Sequence, residues 1–207
     1  MKKPIILVVS AVIIFLVGGL AYTYAETPFF KLGRQMREAK EDANSQKVIA
    51  RVNGKPITKE RYDSHTASQV PANQQLGLPA PSKKDIINLL AKGILVQEEA
   101  RKKGIKVSDA EVQAFIDEQR RMAKKLPEEE RRSYLEVLKG RGLTEDEYWS
   151  SKETFEGFRR ILTEGKVMDQ FIGQADTQEE MEKAQEQYFA YLEDLLKKAK
   201  VEILDNE

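Results

Sequence analysis

Cysteine is absent from the 207 residues, which excludes a disulfide framework, a thiol nucleophile and a lipid-modified cysteine anchor. Histidine occurs once: His65, beside Asp63 and Thr66 on a short helix, reads as a surface or half-buried residue without the second histidine a metal site would use. Net charge is absent as well. The 34 Lys and Arg residues balance 34 Asp and Glu, so no field favours nucleic acid. A phosphate-cradling glycine loop is missing, because Gly140-Arg141-Gly142 lacks strand context and a following Lys-Ser/Thr. Paired acids such as Glu98 with Glu99, or Glu145 with Glu147, are accounted for by helix starts and solvated faces. The residues therefore assemble no catalytic constellation, no metal site and no cofactor site.

What the chain does have begins with a long apolar run. Lys2 and Lys3 are followed by "PIILVVSAVIIFLVGGLAYTYA", and no charge recurs until Glu26. Residues 4–25 are long enough to cross a bilayer as a helix, and the two lysines keep the N-terminus cytoplasmic. Two readings of residues 1–25 stay open. The length of the run and the lack of a polar end favour an uncleaved membrane anchor, while Thr23-Tyr24-Ala25 has the small-residue pattern of a signal peptide cut after Ala25. Either reading puts the rest outside the cytoplasm. An uncleaved chain sits on the extracytoplasmic face of the cytoplasmic membrane; a cleaved one is secreted or periplasmic. Residues 26–46 read as a stalk or linker, and residues 47–207 as the folded domain.

Within that domain helix starts recur. Thr58, Ser108 and Thr144 each stand between flanking apolar residues as N-cap hydroxyls, the last two with Glu111 and Glu147 at the capping-box position. Ser82 and Thr177 supply two further starts, and Pro127 followed by Glu128, Glu129 and Glu130 another. Lys102-Lys103-Gly104 is a basic last turn with a glycine stop, and Gly140 and Gly142 close the helix begun at Pro127. Helices are expected near 58–69, 83–103, 108–125, 127–139, 144–172 (with a break near Gly157 or Gly165) and 177–199, and a loop over 71–81. Ile86, Ile87, Leu89, Leu90, Ile94 and Leu95 cover a wide face, which makes 83–103 the central helix.

Two segments read as strands: "VIARVNGKPIT" over 48–58 and "KVEIL" over 200–204. A lone strand leaves its backbone donors and acceptors without partners, so each needs the other. The fold class expected is mainly α, with a two-stranded sheet that pairs 48–52, running on to 57, with 200–204.

The series "VIARVNGKPITKERYDSH", "LLAKGILVQEEARKKGIKVSDAEVQAFIDE" and "GLTEDEYW" resembles the N-terminal chaperone domain of the SurA and PrsA foldases. The long-helix match falls on Leu95, Glu98 or Glu99, Ala100, Gly104, Ile105, Val107, Ser108, Asp109, Glu111 and Val112, and the ending "LLKKAKVEILD" is similar to PrsA-like chains. The resemblance implies a helical domain completed by its C-terminal helix and strand, with a parvulin-type prolyl isomerase domain inserted before them. Only a few residues separate Phe171-Ile172-Gly173 from Thr177, so the expected protein is the chaperone part without the enzyme. Its partners would be unfolded or nascent exported polypeptides and, through residues 4–25, the cytoplasmic membrane; a second copy of the chain is a further partner left open. The alternatives are an envelope adaptor for one membrane-protein partner and, less favoured, a peptidyl-prolyl isomerase. Met122, Leu126, Tyr134, Leu138, Tyr148, Trp149 and Phe155 are the candidate substrate-binding residues, with ordinary core packing as their alternative role.

Overall fold

The computed structural model describes residues 27–204, apart from Leu76, Gln174 and Asp176. The leader or anchor read over residues 1–25 lies outside the described residues. Among those described, no helix is long and apolar enough to cross a membrane.

The first strand reverses on itself. Val48–Val52 (β1) turns through Asn53 and Gly54 into Lys55–Thr58 (β2), antiparallel, with Val52 opposite Lys55 and Arg51 opposite Pro56. Asn53 (φ 49°) and Gly54 (φ 81°) both adopt the left-handed region, as a tight hairpin turn with the natural strand twist demands. On its other side β1 pairs with Val201–Ile203 (β3), with Ala50 opposite Ile203 and Val52 opposite Val201. The pairing of the two chain ends is as expected, but the two-stranded sheet is corrected to three strands in the order β2-β1-β3.

Asn53 ties this sheet together. Its amide donates to the Lys200 carbonyl (2.9 Å), and its Oδ1 accepts from the Lys200 amide (3.0 Å). Its Nδ2 donates to Glu98 (3.2 Å), which also meets the Lys55 ammonium at 3.1 Å. Burial pushes the Glu98 carboxyl up, yet the Asn53 and Lys55 contacts hold it below the ordinary carboxylate value. The folded chain therefore binds this proton less readily than the unfolded chain. The stabilisation is complete above the usual carboxylate range and is lost as the pH falls through the lowered folded value. Denaturation midpoints measured across the acid range should fall more steeply for the parent than for Glu98→Gln, which cannot titrate; parallel curves would contradict this assignment.

Among the described residues eight helices surround the sheet. They are Pro28–Glu41 (α1), Lys59–Gln75 (α2), Lys83–Lys102 (α3), Asp109–Lys124 (α4), Glu128–Gly140 (α5), Glu145–Ser150 (α6), Lys152–Ile172 (α7) and Gln178–Lys198 (α8). Capping boxes form at Ser82, Ser108, Thr144 and Thr177, each with its acid three residues on. Three boundaries differ from expectation. The helix expected over 144–172 breaks at Ser151, whose extended backbone ends α6 and whose hydroxyl caps α7 by accepting from the Thr154 amide (3.1 Å); Gly157 and Gly165 stay helical. Helix α2 runs through Pro71 to Gln75, where a loop is expected, with the proline inside its last turns. Over Pro28–Glu41 the expected stalk is instead a helix, capped by Thr27, that packs on α5 and α2.

Helix α3 is central, as its apolar face requires. Ile86, Ile87, Leu90, Ile94 and Leu95 are buried against Ile49, Val52 and Ile57 of the sheet, with Leu195, Leu196 and Val201 closing the cluster. Leu89, expected on that face, is exposed. Further along α3, Val96 and Ala100 pack with Val167 of α7 and Tyr188 of α8. A third cluster, built on Val112, Phe115, Ile116, Trp149 and Phe158, forms the interior of a lobe.

Candidate functional site

Four of the candidate residues, Tyr134, Tyr148, Trp149 and Phe155, lie together in that lobe. Tyr134 on α5, Tyr148 on α6 and Phe155 on α7 pack half-buried around the cluster that contains Trp149. The rings form a network: Tyr148 meets Trp149 edge-on at 4.9 Å, and Trp149 stacks on Phe158 at 6.1 Å. Met122 on α4 and Leu126 in the α4–α5 connection are half-buried. Leu138 and Trp149 are only 3% and 6% exposed, so in this conformation they serve the packed interior. Arg131 locks the lobe by donating to the Ala123 carbonyl (3.1 Å) and the Glu145 carboxylate (2.8 Å). Burial pushes the Tyr134 hydroxyl up, and no partner for it occurs among the described residues.

A recess lies elsewhere among the described residues, between α1 and α2. Gln35, Glu38, Ala39 and Asp42 of α1 face Asp63, Thr66, Ala67, Val70 and Pro71 of α2 across a groove of about 620 Å³. The Lys59 ammonium clips one end shut by bridging Asp42 (2.9 Å) and Asp63. Its hydrogen bonds to Asp63 and Asp42 raise its pKa. On the other side, the Lys59 contact and then the Asn44 amide lower that of Asp42. Small apolar side chains with acidic groups at the rim suit an extended polypeptide: apolar stems find surface, and backbone or cationic donors find acceptors.

His65 lies on α2, half-buried, and burial followed by the nearby Arg61 pushes its pKa down. Among the described residues no three His, Cys, Asp or Glu side chains assemble to hold a metal ion.

Sequence reasoning missed the groove because both walls look unremarkable alone. Helix α1 reads as a stalk of mixed charge, and α2 has no apolar stripe. The one available signal was Pro71 set in "ASQVPA", a run of small residues able to continue a helix past a proline.

Between Ile172 and Gln178 only a short connection joins α7 to α8, and no second domain stands there. A model of the SurA-like N-terminal domain matches residues 1–154, which reach from the apolar N-terminal run through the hairpin and lobe helices into α7. Neither a curated protein nor a solved structure matches the chain. The chain, with this match over well more than half its length and with the hairpin, long central helix and capped lobe helices in order, belongs to the family of SurA-like N-terminal domains.

Proposed function

We propose that the protein is a holdase of the extracytoplasmic space, tethered to the cytoplasmic membrane by residues 4–25, which binds unfolded exported polypeptides without isomerising their prolyl bonds. Family membership supports a chaperone-type domain and polypeptide substrates. The uncharged run over 4–25 supports the tether, which raises the concentration of the domain where exported chains emerge. The observation that carries the reading is the α1/α2 groove, where Ala39, Ala67, Val70 and Pro71 lie among polar and acidic side chains.

The test uses the full chain in nanodiscs. It should suppress aggregation of an unfolded client and bind extended apolar peptides. Filling the groove with Ala67→Phe should weaken peptide binding by about 10-fold, equivalent to ~1.4 kcal/mol. The emission of Trp149, the sole tryptophan and a reporter of the lobe, should stay unchanged. No peptide binding by the parent at micromolar concentration would sink the reading. Crosslinking that returns one stoichiometric membrane partner in place of many clients would favour an adaptor.

A further inference from the structure

We infer that the cleft between α2 and α7, floored by α3, is a binding site for a carboxylate, held between the Arg61 and Arg160 guanidiniums. The site stands on its own geometry; that the carboxylate belongs to a bound polypeptide rests on the function proposed above. The cleft lies across α2 from the groove. At about 3.6 residues per turn, Arg61 and His65 share one face of α2, opposite the face that Asp63, Thr66, Ala67 and Val70 turn to α1.

Helix α3 packs with both α2 and α7 and so forms the floor. Its Gln97 donates to the Arg160 carbonyl (3.0 Å) and to the Glu164 carboxylate (3.3 Å), which fixes the α7 wall. One turn before Gln97 the floor is Gly93. A Cβ there would meet only Glu164 Oε1, at 3.6 Å, which is an ordinary contact. Packing therefore does not require a glycine in the middle of this helix, where glycine is a poor helix former. Its effect is to leave the floor of the cleft bare.

The two guanidiniums are near enough to repel. Burial first, and then the Arg160 charge, pull the Arg61 pKa down, while Glu60 and Glu164 act against them. Half-buried Arg61 belongs to the inner wall and exposed Arg160 to the rim. Neither guanidinium makes a hydrogen bond or an ion pair among the described residues. Glu164 is close enough to act on both, but its carboxylate is engaged by Gln97. Glu153, which Arg160 also influences, is held by Lys40 and Arg141 at 2.6 and 3.2 Å. A guanidinium carries its N–H donors in a planar fork, and burial takes water from that of Arg61 without supplying acceptors. A ligand carboxylate between the two forks relieves the repulsion and accepts from both, in the bidentate geometry that suits arginine. Helix α2 then separates subsites of opposite sign, with Glu38, Asp42 and Asp63 on the groove side and the arginines on the other. A polypeptide lying across α2 would set basic side chains at the first and acidic ones at the second.

His65 is the sole histidine, and its pKa is pulled down by burial and then by Arg61, so its imidazole resonance reports on this cleft alone. The full chain with isotope-labelled histidine, in nanodiscs, is titrated with acetyl-Ala-Glu-Ala-amide and with acetyl-Ala-Gln-Ala-amide. The glutamate peptide should move the resonance at millimolar concentration, and the glutamine peptide should leave it in place. Arg61→Gln and Arg160→Gln should each weaken the response at least about 5-fold, and Arg160→Lys, which keeps the charge without the fork, less so. A silent resonance in the parent, an equal shift with both peptides, or an unchanged response in both glutamine variants overturns the site. The longer apolar peptides of the preceding test separate the two readings. Their binding with His65 silent to the glutamate peptide overturns the site alone, whereas a glutamate response without their binding upholds the site and overturns the holdase.

Discussion

A chain ending at Lys198 should be less stable than the parent by about 3–5 kcal/mol, although a tail of that size normally looks dispensable. The residues lost are the third strand of the sheet. Val201 and Ala199 leave the cluster under α3, and a half-buried valine alone contributes about 1 kcal/mol. Three backbone partners go with them: the Lys200 carbonyl for Asn53, the Lys200 amide for the Asn53 side chain, and the Leu204 amide for the Ile49 carbonyl. Each net hydrogen bond adds about 0.5–1.5 kcal/mol. The Asn53–Lys200 contact spans 147 residues, so its loss also frees α8 from the sheet end of the molecule. Urea denaturation followed by helical circular dichroism measures the effect. A truncated chain within about 1 kcal/mol of the parent would show that the closing strand contributes little.

The α1–α5 crossing should be as sensitive to one methyl group. A Cβ on Gly140 would overlap the Phe30 carbonyl oxygen and lie 2.8 Å from the Arg34 amide nitrogen and 3.0 Å from the Gly33 Cα. Backbone atoms cannot swing aside as a side-chain tip can. Gly140→Ala must therefore part the helices, at about 2–4 kcal/mol, against the gain of up to about 1 kcal/mol that alanine brings to a helix. Gly157→Ala on α7 is the control: its Cβ would meet only the tip of Arg160 at 3.8 Å, so it should be neutral or slightly stabilising. Denaturation midpoints separate the two variants. Amide exchange in α1 should rise in Gly140→Ala, and peptide binding should fall with it, because α1 is one wall of the groove. Equal stability of the two variants would refute the backbone-contact account.

Legibility differed by element. Every capping box read in the chain is present, because a side chain and a backbone amide three residues apart meet whatever the rest of the fold does. Asn53-Gly54 was a hairpin signal in plain view, yet Lys55-Pro56-Ile57-Thr58 carries one buried residue and a proline, which demotes it as a strand. It survives as an edge strand, where a proline needs no ladder partner on its open side. Ser151 was passed over as a break because the glycines nearby looked like the weaker points, although a serine that ends one helix can cap the next.

The candidate site was harder. Sequence position groups the lobe aromatics, but grouping does not distinguish a lined cleft from a filled core. Leu135 and Leu138 lie three residues apart on one helix, and the first is exposed while the second is buried. Only the placement of neighbouring helices separates them.

By itself, then, the sequence determined where helices start and stop, that the first strand had to pair with the last, and that an uncharged run precedes the domain. These follow from hydrogen-bond satisfaction and from composition, which act within a few residues or admit one solution. The tertiary structure alone decided that two glycines far apart in the chain are a helix contact, that a segment resembling a stalk is a groove wall, and that Trp149 is buried while Tyr134, Tyr148 and Phe155 stay half-buried around it. Burial is a property of what lies opposite a residue, and that partner is chosen by chain segments a hundred residues away.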